Sequence, residues 1–285
     1  MHSRPAMAIT LQSAWDWEGF RHSACLLLRH GVAPHQVSWQ WLDTPAAAPQ
    51  ADLFADGGAP CAVSVAALEH WLQQHAAESV GIAVPRLRAQ QIQICQSAAL
   101  HCSSQRYLQI YRWLYRIAHA PSLRDDPLDV DAHAIAQMAK AVGREIHKMR
   151  AFVRFRPMAD ADGLTHHVAW FEPEHFVIVA NAPFFIRRFA NMRWSILSPQ
   201  ACLHWDLQQL FVGAGADPSQ RPPPDAGEDL WLTYYATTFN PARLKTGAML
   251  REMPRKYWRN LPEARLISPL IAQAGPRSAR MLEGS

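Results

Sequence analysis

The sequence predicts an α+β fold, with a helical first half and a small antiparallel sheet packed with helices in the second half. Three observations predict it. Apolar residues recur at steps of three and four through the early segments, short alternating runs broken by turn residues follow after residue 150, and the net positive charge lies in the second half.

The chain has 285 residues, 49% hydrophobic and 18% charged. That is enough apolar content for a large core and too little charge for a disordered chain. The formal net charge is +4, unevenly placed: residues 1–140 carry ten Lys or Arg against eleven Asp or Glu, and residues 141–285 carry eighteen against thirteen. A field that attracts a phosphate backbone is therefore centred in the second half. The acidic turn LRDDPLDVD at 123–131 marks the expected boundary. Residues 1–130 then form a scaffold or partner-binding region and 131–285 a basic DNA-binding region, unless the chain is one compact domain.

The five cysteines include no C-x-x-C pair, which excludes a zinc ribbon or disulfide framework and suits reduced, cytoplasmic thiols. Cys95 and Cys102, with His101 beside them, read as buried small hydrophobes rather than as metal ligands. No apolar run approaches the ~20 residues of a membrane span, and the first residues show no export signal.

In order, AMAITL forms a strand and Asp16 to His30 a helix with Phe20, Ala24, Leu27 and Leu28 inward, stopped by Gly31. VSWQWL alternates as a strand with Val37, Trp39 and Trp41 on one face; residues 43–60 form a loop. Helices follow from Ser64 to about residue 79, over roughly 85–101, and over 103–120. In the last of these Tyr107, Ile110, Tyr111, Leu114 and Ile117 form the apolar stripe and Arg106, Arg112 and Arg116 occupy the other sides. Asp131 caps the next helix, whose inward residues are Ile135, Met138, Val142, Ile146 and Met149. Strands are expected at AFVRFR (151–156), at LTHHVAWF across a turn at ADADG, and at HFVIVA (175–180). Pro183 then opens a helix, RWSIL and CLHWD give two more strands, and 210–227 is a Gly/Pro-rich loop whose G-x-G lacks a dinucleotide context. Helices over 228–240 and from Asn240 with Pro241 complete the chain.

Two chemistries fit these residues. Arginine and lysine with interleaved aromatics suit a nucleic-acid surface, through phosphate contacts and base stacking. The cationic set is Arg144, Lys148, Arg150, Arg154, Arg156, Arg187, Arg188, Arg193, Lys245, Arg251, Arg255, Lys256 and Arg259, and the stacking set is Trp170, Trp194 and Trp258. The second chemistry is a small acid–base or divalent-metal constellation drawn from His147, Glu172, Glu174 and His175, with Glu172, Glu174 and His175 as metal ligands. Solvated carboxylates and a structural histidine account for the same residues, and His166 with His167 could likewise be ligands or a plain turn-proximal pair.

IHKMRAFVRFR, HHVAWFEPEHFVIVANAPFFIRRFANMRWSILSP, YYATTFNPARLKTGAMLREMPRKYWRNLPEA and DWEGFRHSACLLLRHGVAPHQVSW together resemble the family of bacterial "probable DNA metabolism" proteins. The resemblance spans almost the whole chain. It implies a DNA-repair or modification setting, with partners of two kinds: a radical S-adenosylmethionine protein encoded alongside, and a uracil-DNA-glycosylase-like domain fused in some members. The iron–sulfur and glycosylase chemistries belong to those partners, and the resemblance assigns no catalytic residue here. The function it implies is a DNA-binding accessory protein. A metal-dependent DNA-processing enzyme such as a nuclease, and an interaction scaffold without DNA contact, are the alternatives.

Overall fold

A computed structural model of the chain describes residues 7–42, 61–74, 82–159, 165–223, 232, 246–261 and 264–272. The expected turn at 160–163, nearly all of the expected helix at 228–240, Asn240 with Pro241, and Lys245 lie outside these residues. The α+β expectation holds: a mainly helical first half carries one small sheet, and a mixed, largely antiparallel sheet packs with helices in the second. Two compact units form, one of Met1–Glu145 with Glu174–Val177, the other of Ile146–Pro173 with Ile178–Ser285. No helix among the described residues is long and apolar enough to cross a membrane.

The first unit is built on β1 (Met7–Leu11), α1 (Trp17–Arg29), β2 (Val37–Trp41), β3 (Cys61–Ser64), α2 (Val65–Gln74), α3 (Ala89–Ala98), α4 (Arg106–His119) and the start of α5 (Val130–Phe152). Its sheet is parallel, in the order β2-β1-β3, which leaves β1 central and apolar on both faces. α1 starts where it must: Asp16 Oδ1 accepts the Gly19 amide at 2.8 Å, and the chain leaves the helix through Gly31 at φ 61°, a left-handed turn that favours glycine. Phe20, Trp39 and Tyr107 stack their rings at 4.8–6.1 Å in the core. Burying each contributes on the order of 2–3 kcal/mol.

Sequence periodicity missed three features of this unit. Cys61–Ser64 adds a strand to β1, unforeseen between the expected loop at 43–60 and the helix expected from Ser64; Ser64 Oγ accepts the Ala67 amide. Arg106 does not decorate a helix side but is fully buried. Asp131 does not cap α5, because Asp129 does so through the Ala132 amide at 2.9 Å. Asp131 sits in the first turn, ion-paired with Arg112 and Arg116. Burial alone would raise its pKa, but the two guanidiniums outweigh that and hold the carboxyl below its ordinary 3.8.

A depressed folded-state pKa stabilises the fold fully above the unfolded value, and the contribution fades as pH falls through the folded one. Asp131→Asn is therefore expected to cost about 2 kcal/mol at pH 7. The gap from wild type should narrow progressively as pH is lowered below 3.8, as measured by urea unfolding across a pH series.

The second unit contains the end of α5, then β4 (Arg156–Ala159), β5 (Thr165–Trp170), α6 (Ile178–Arg188), β6 (Trp194–Leu197), β7 (Cys202–Trp205), β8 (Leu210–Gly213) and α7 (Thr246–Glu252). The five strands run in sequence order, and only the β5–β6 pair is parallel. One face buries Ala169, Trp194, Ile196 and Leu203. Phe155, Phe185 and Phe189 pack against Trp194 or one another at 5.1–6.2 Å.

Two strand expectations and one loop expectation fail here. Ala151 and Phe152 extend α5, because nothing between Arg144 and Arg156 breaks a helix and Val153 N–H still reaches the Met149 carbonyl. Arg154 ends it by donating to the Ala151 and Val153 carbonyls. The run from Ile178 is helical because Ile178, Ala182 and Phe185 form one buried face of period 3.6, which overrides the β-branched preference of Val179. Pro183 therefore lies inside α6 rather than at its first turn. Residues 210–213, expected as loop, pair with β7. The G-x-G has a packing reason: a Cβ on Gly215 would lie 2.0 Å from the Pro199 carbonyl oxygen.

Candidate metal centre and basic surface

The loop between α3 and α4 carries His101 and Cys102, and residues 174–177 of the same unit bring Glu174 and His175 to them. Donor atoms of His101, Cys102 and His175 all lie within 4.8 Å of one another. Cys102 Sγ is 4.0 Å from Glu174 Oε1. The two imidazoles stack at 4.4 Å. Backbone contacts fix this convergence: the buried His175 amide donates to Glu145 Oε2 at 2.6 Å, and the Phe176 amide to the Leu100 carbonyl at 2.8 Å.

The electrostatics suit a ligand set at rest. Desolvation first, then the neighbouring His175, lowers the pKa of His101, which keeps its ring neutral. Desolvation and Glu174 raise that of Cys102. A thiol held protonated is a poor nucleophile, and it must release a proton to take a metal. Nδ1 of His101 accepts the Ser103 amide at 3.1 Å and Nδ1 of His175 the Cys102 amide at 3.3 Å. The neutral rings then carry their protons on Nε2, so coordination exchanges these long amide contacts for metal–nitrogen bonds. A tetrahedral centre with bonds of about 2.0–2.3 Å needs the donors to close by roughly an ångström. Two imidazoles and a thiolate suit zinc or a similar borderline cation and not Mg²⁺, which takes oxygen ligands.

The sequence-expected metal set thus separates. His175 joins the cluster and Glu174 contacts only its Cys102, whereas Glu172 is held by the Trp170 indole N–H at 2.6 Å and by Arg221. His147 is exposed on α5, in the second unit, where its charge bears on Glu252. Cys102 and His101 were passed over because the sequence offers no second Cys pair. A signal was present in the adjacent His-Cys and the later Glu-His dipeptide, but only the fold shows that they meet. Cys95 is buried with its thiol pushed up to about 12 by desolvation, a core residue as expected.

The expected phosphate partners divide just as clearly. Arg150, Arg154, Arg187 and Arg188 are exposed at the ends of α5 and α6 in the second unit, and Arg144 is exposed on the α5 portion of the first. Arg150 donates to Asn181 Oδ1 at 2.8 Å and lies 4.8 Å over the Phe184 ring. Phe184 is one turn from both Arg187 and Arg188 on α6. Lys148 is ion-paired to Glu252 at 2.9 Å, and Arg156 donates to the Pro222 carbonyl. Arg251, Arg255 and Lys256 are exposed, with Arg255 5.8 Å over the half-buried Trp258. Arg193 is half-buried beside a cavity treated below, and the side chain of Arg259 lies outside the described residues. Trp194 is fully buried and Trp170 7% exposed under Arg221. Both are buried, Trp194 on the inward face of the sheet and Trp170 beneath Arg221, which leaves a base no ring face to stack on.

Comparison with curated proteins and with solved structures found no match. A family model described as a domain of unknown function, DUF4130, matches residues 104–263, more than half of the chain. The match takes in Glu174 and His175 and begins just after His101 and Cys102. On that extent, the chain belongs to the DUF4130 family.

Proposed function

We propose that the chain is a DNA-binding accessory protein that holds nucleic acid on the arginine surface of its second unit. The observation that carries this reading is the exposure of Arg150, which lies against Asn181 and Phe184 of α6, together with that of Arg187 and Arg188 one turn further along the same helix and of Arg154 just past the end of α5. α6 contains no acidic residue. Among the described residues, no carboxylate ion-pairs with Arg187 or Arg188. Arginine in such numbers positions a phosphate backbone without reading sequence. A radical S-adenosylmethionine or uracil-DNA-glycosylase-like partner would supply the chemistry.

Binding of labelled single-stranded, duplex and uracil-containing DNA across a salt series tests it. The wild-type chain should bind with log Kd rising steeply with log salt. Arg187→Gln/Arg188→Gln should make that slope shallower by about 2, about 0.9 for each lost phosphate contact. Absence of binding to every DNA form at low salt would sink the reading.

The donor cluster favours one second reading, a metal-dependent enzyme. Its thiol and imidazoles point to zinc-type hydrolytic chemistry rather than to the Mg²⁺ nuclease that paired carboxylates suggest. Zinc-dependent product from DNA, lost in Cys102→Ser, would put this reading first.

A further inference from the structure

The open face of the five-stranded sheet carries a polar row that neither the metal centre nor the arginine surface uses. Register sets Val168, Ser195 and His204 side by side on β5, β6 and β7, and His166 shares the face of Val168 two residues away. Ser195 Oγ lies 2.7 Å from His166 Nε2 and 2.7 Å from His204 Nδ1, although Ser195 is only 4% exposed. A hydroxyl has one proton, so it donates to one ring and accepts from the other. When His204 is the ring that accepts, at Nδ1, its own proton lies on Nε2.

These three residues line a cavity of ≈ 370 Å³ together with Arg193, Trp205 and Asp206. That is within the range of about 300–1,000 Å³ typical of small-molecule sites. The carboxylate at its rim stays charged and feels Arg193, but one of its oxygens is held by the turn. Asp206 Oδ1 accepts the Gln208 and Gln209 amides at 2.8 Å each in the turn between β7 and β8. Those amides, Gln209 first, hold its pKa below the usual carboxylate range. Arg193 is the one permanent cation among the lining residues. The Trp205 indole N–H is already given to the Ala190 carbonyl. A solvated sheet face often carries polar residues without a ligand, yet such residues do not ordinarily bury a serine between two imidazoles at the floor of a cavity.

We propose that this cavity binds a phosphate ester, with the Arg193 guanidinium taking two phosphate oxygens in its planar fork and the His166–Ser195–His204 row donating to a third. The anion chemistry stands on the cavity alone. The further identification of the ester as a phosphorylated end of a nucleic acid rests on the reading of the arginine surface.

The test uses the full chain and inorganic phosphate, followed by the imidazole ¹⁵N resonances of His166 and His204 at constant ionic strength set with chloride. Both should shift saturably. Arg193→Gln should weaken the response tenfold or more, since the backbone carbonyl that holds the His167 amide is retained. Arg187→Gln/Arg188→Gln should leave it within twofold. Absence of a saturable shift, or an unchanged one in Arg193→Gln, overturns the site. A second arm compares 5′-phosphorylated and 5′-hydroxyl oligonucleotides of one sequence. Preference for the phosphorylated end, lost in Arg193→Gln, is expected. Equal binding of the two while inorganic phosphate still shifts both histidines overturns the nucleic-acid-end assignment. A chain that binds no oligonucleotide but still binds phosphate separates failure of the arginine surface from failure of the cavity.

Discussion

Arg106→Met is expected to lower the unfolding free energy of the first unit by about 4 kcal/mol. Arg106 is fully buried, and its guanidinium donates to three carbonyls: Ala99 from Nε at 2.7 Å, Ser103 from Nη1 at 2.8 Å and Ala14 from Nη2 at 2.5 Å. Trp41, Tyr107 and Phe176 surround it at 4.3–4.7 Å. Desolvation lowers its pKa, but from 12.5 the group stays charged at any physiological pH. One side chain thereby joins the loop after β1, the α3–α4 loop and residues 174–177. Methionine fills the volume but removes three charged donors, each such hydrogen bond contributing about 1.5–3 kcal/mol; Ala14 keeps the Tyr107 hydroxyl and Ser103 keeps the backbone amide of residue 106, while Ala99 loses its side-chain donor. The loss should appear as a melting temperature lower by about 10 °C and as faster hydrogen exchange at the β1 amides. Arg21→Met, which breaks only an exposed pair with Glu18, should cost less than about 1 kcal/mol. Equal stability of the Arg106 variant and wild type would mean that water satisfies those carbonyls.

Zinc is expected to raise the melting temperature of the wild-type chain, with a stabilisation near 4 kcal/mol at a thousandfold excess over Kd. Mg²⁺ at the same concentration should do nothing. Cys102→Ser should abolish most of the gain, and Co²⁺ in place of zinc should give the near-ultraviolet charge-transfer band of a metal–thiolate bond. The Cys102 pKa is raised before binding, so metal displaces a proton and apparent affinity should climb with pH up to the thiol value, close to tenfold per unit. A zinc shift that survives in Cys102→Ser, or one matched by Mg²⁺, would mean that sulfur is not a ligand.

How much of this was legible depends on whether the signal was local. α1 was readable nearly to the residue because Asp16, the apolar spacing and Gly31 all agree. β1 and β2 were readable from alternation, although their parallel pairing was not, since register between distant strands leaves no local trace. The strand expected at 175–180 failed because the same β-branched residues also satisfy a 3.6 period, and burial of Ile178, Ala182 and Phe185 decided between the two. Charge asymmetry pointed to the second half, but not to which arginines are committed inside the protein. Lys148 and Arg156 look no different in sequence from Arg187. His101 and Cys102 lie 72 or more positions from their partners Glu174 and His175, and Ser195 meets His166 across 29 positions. Those meetings are tertiary facts.

The first unit takes four of its residues, Glu174–Val177, from beyond a stretch that belongs to the second. During synthesis at about 5–20 residues per second, residues 146–173 must therefore emerge before the first unit can close around His175 and Phe176. Until then Arg106 lacks one of its aromatic walls, Glu145 lacks the amide it binds, and Cys102 waits without Glu174. A ribosome stalled before residue 174 would hold a chain that is long enough to contain nearly all of that unit and still unable to finish it.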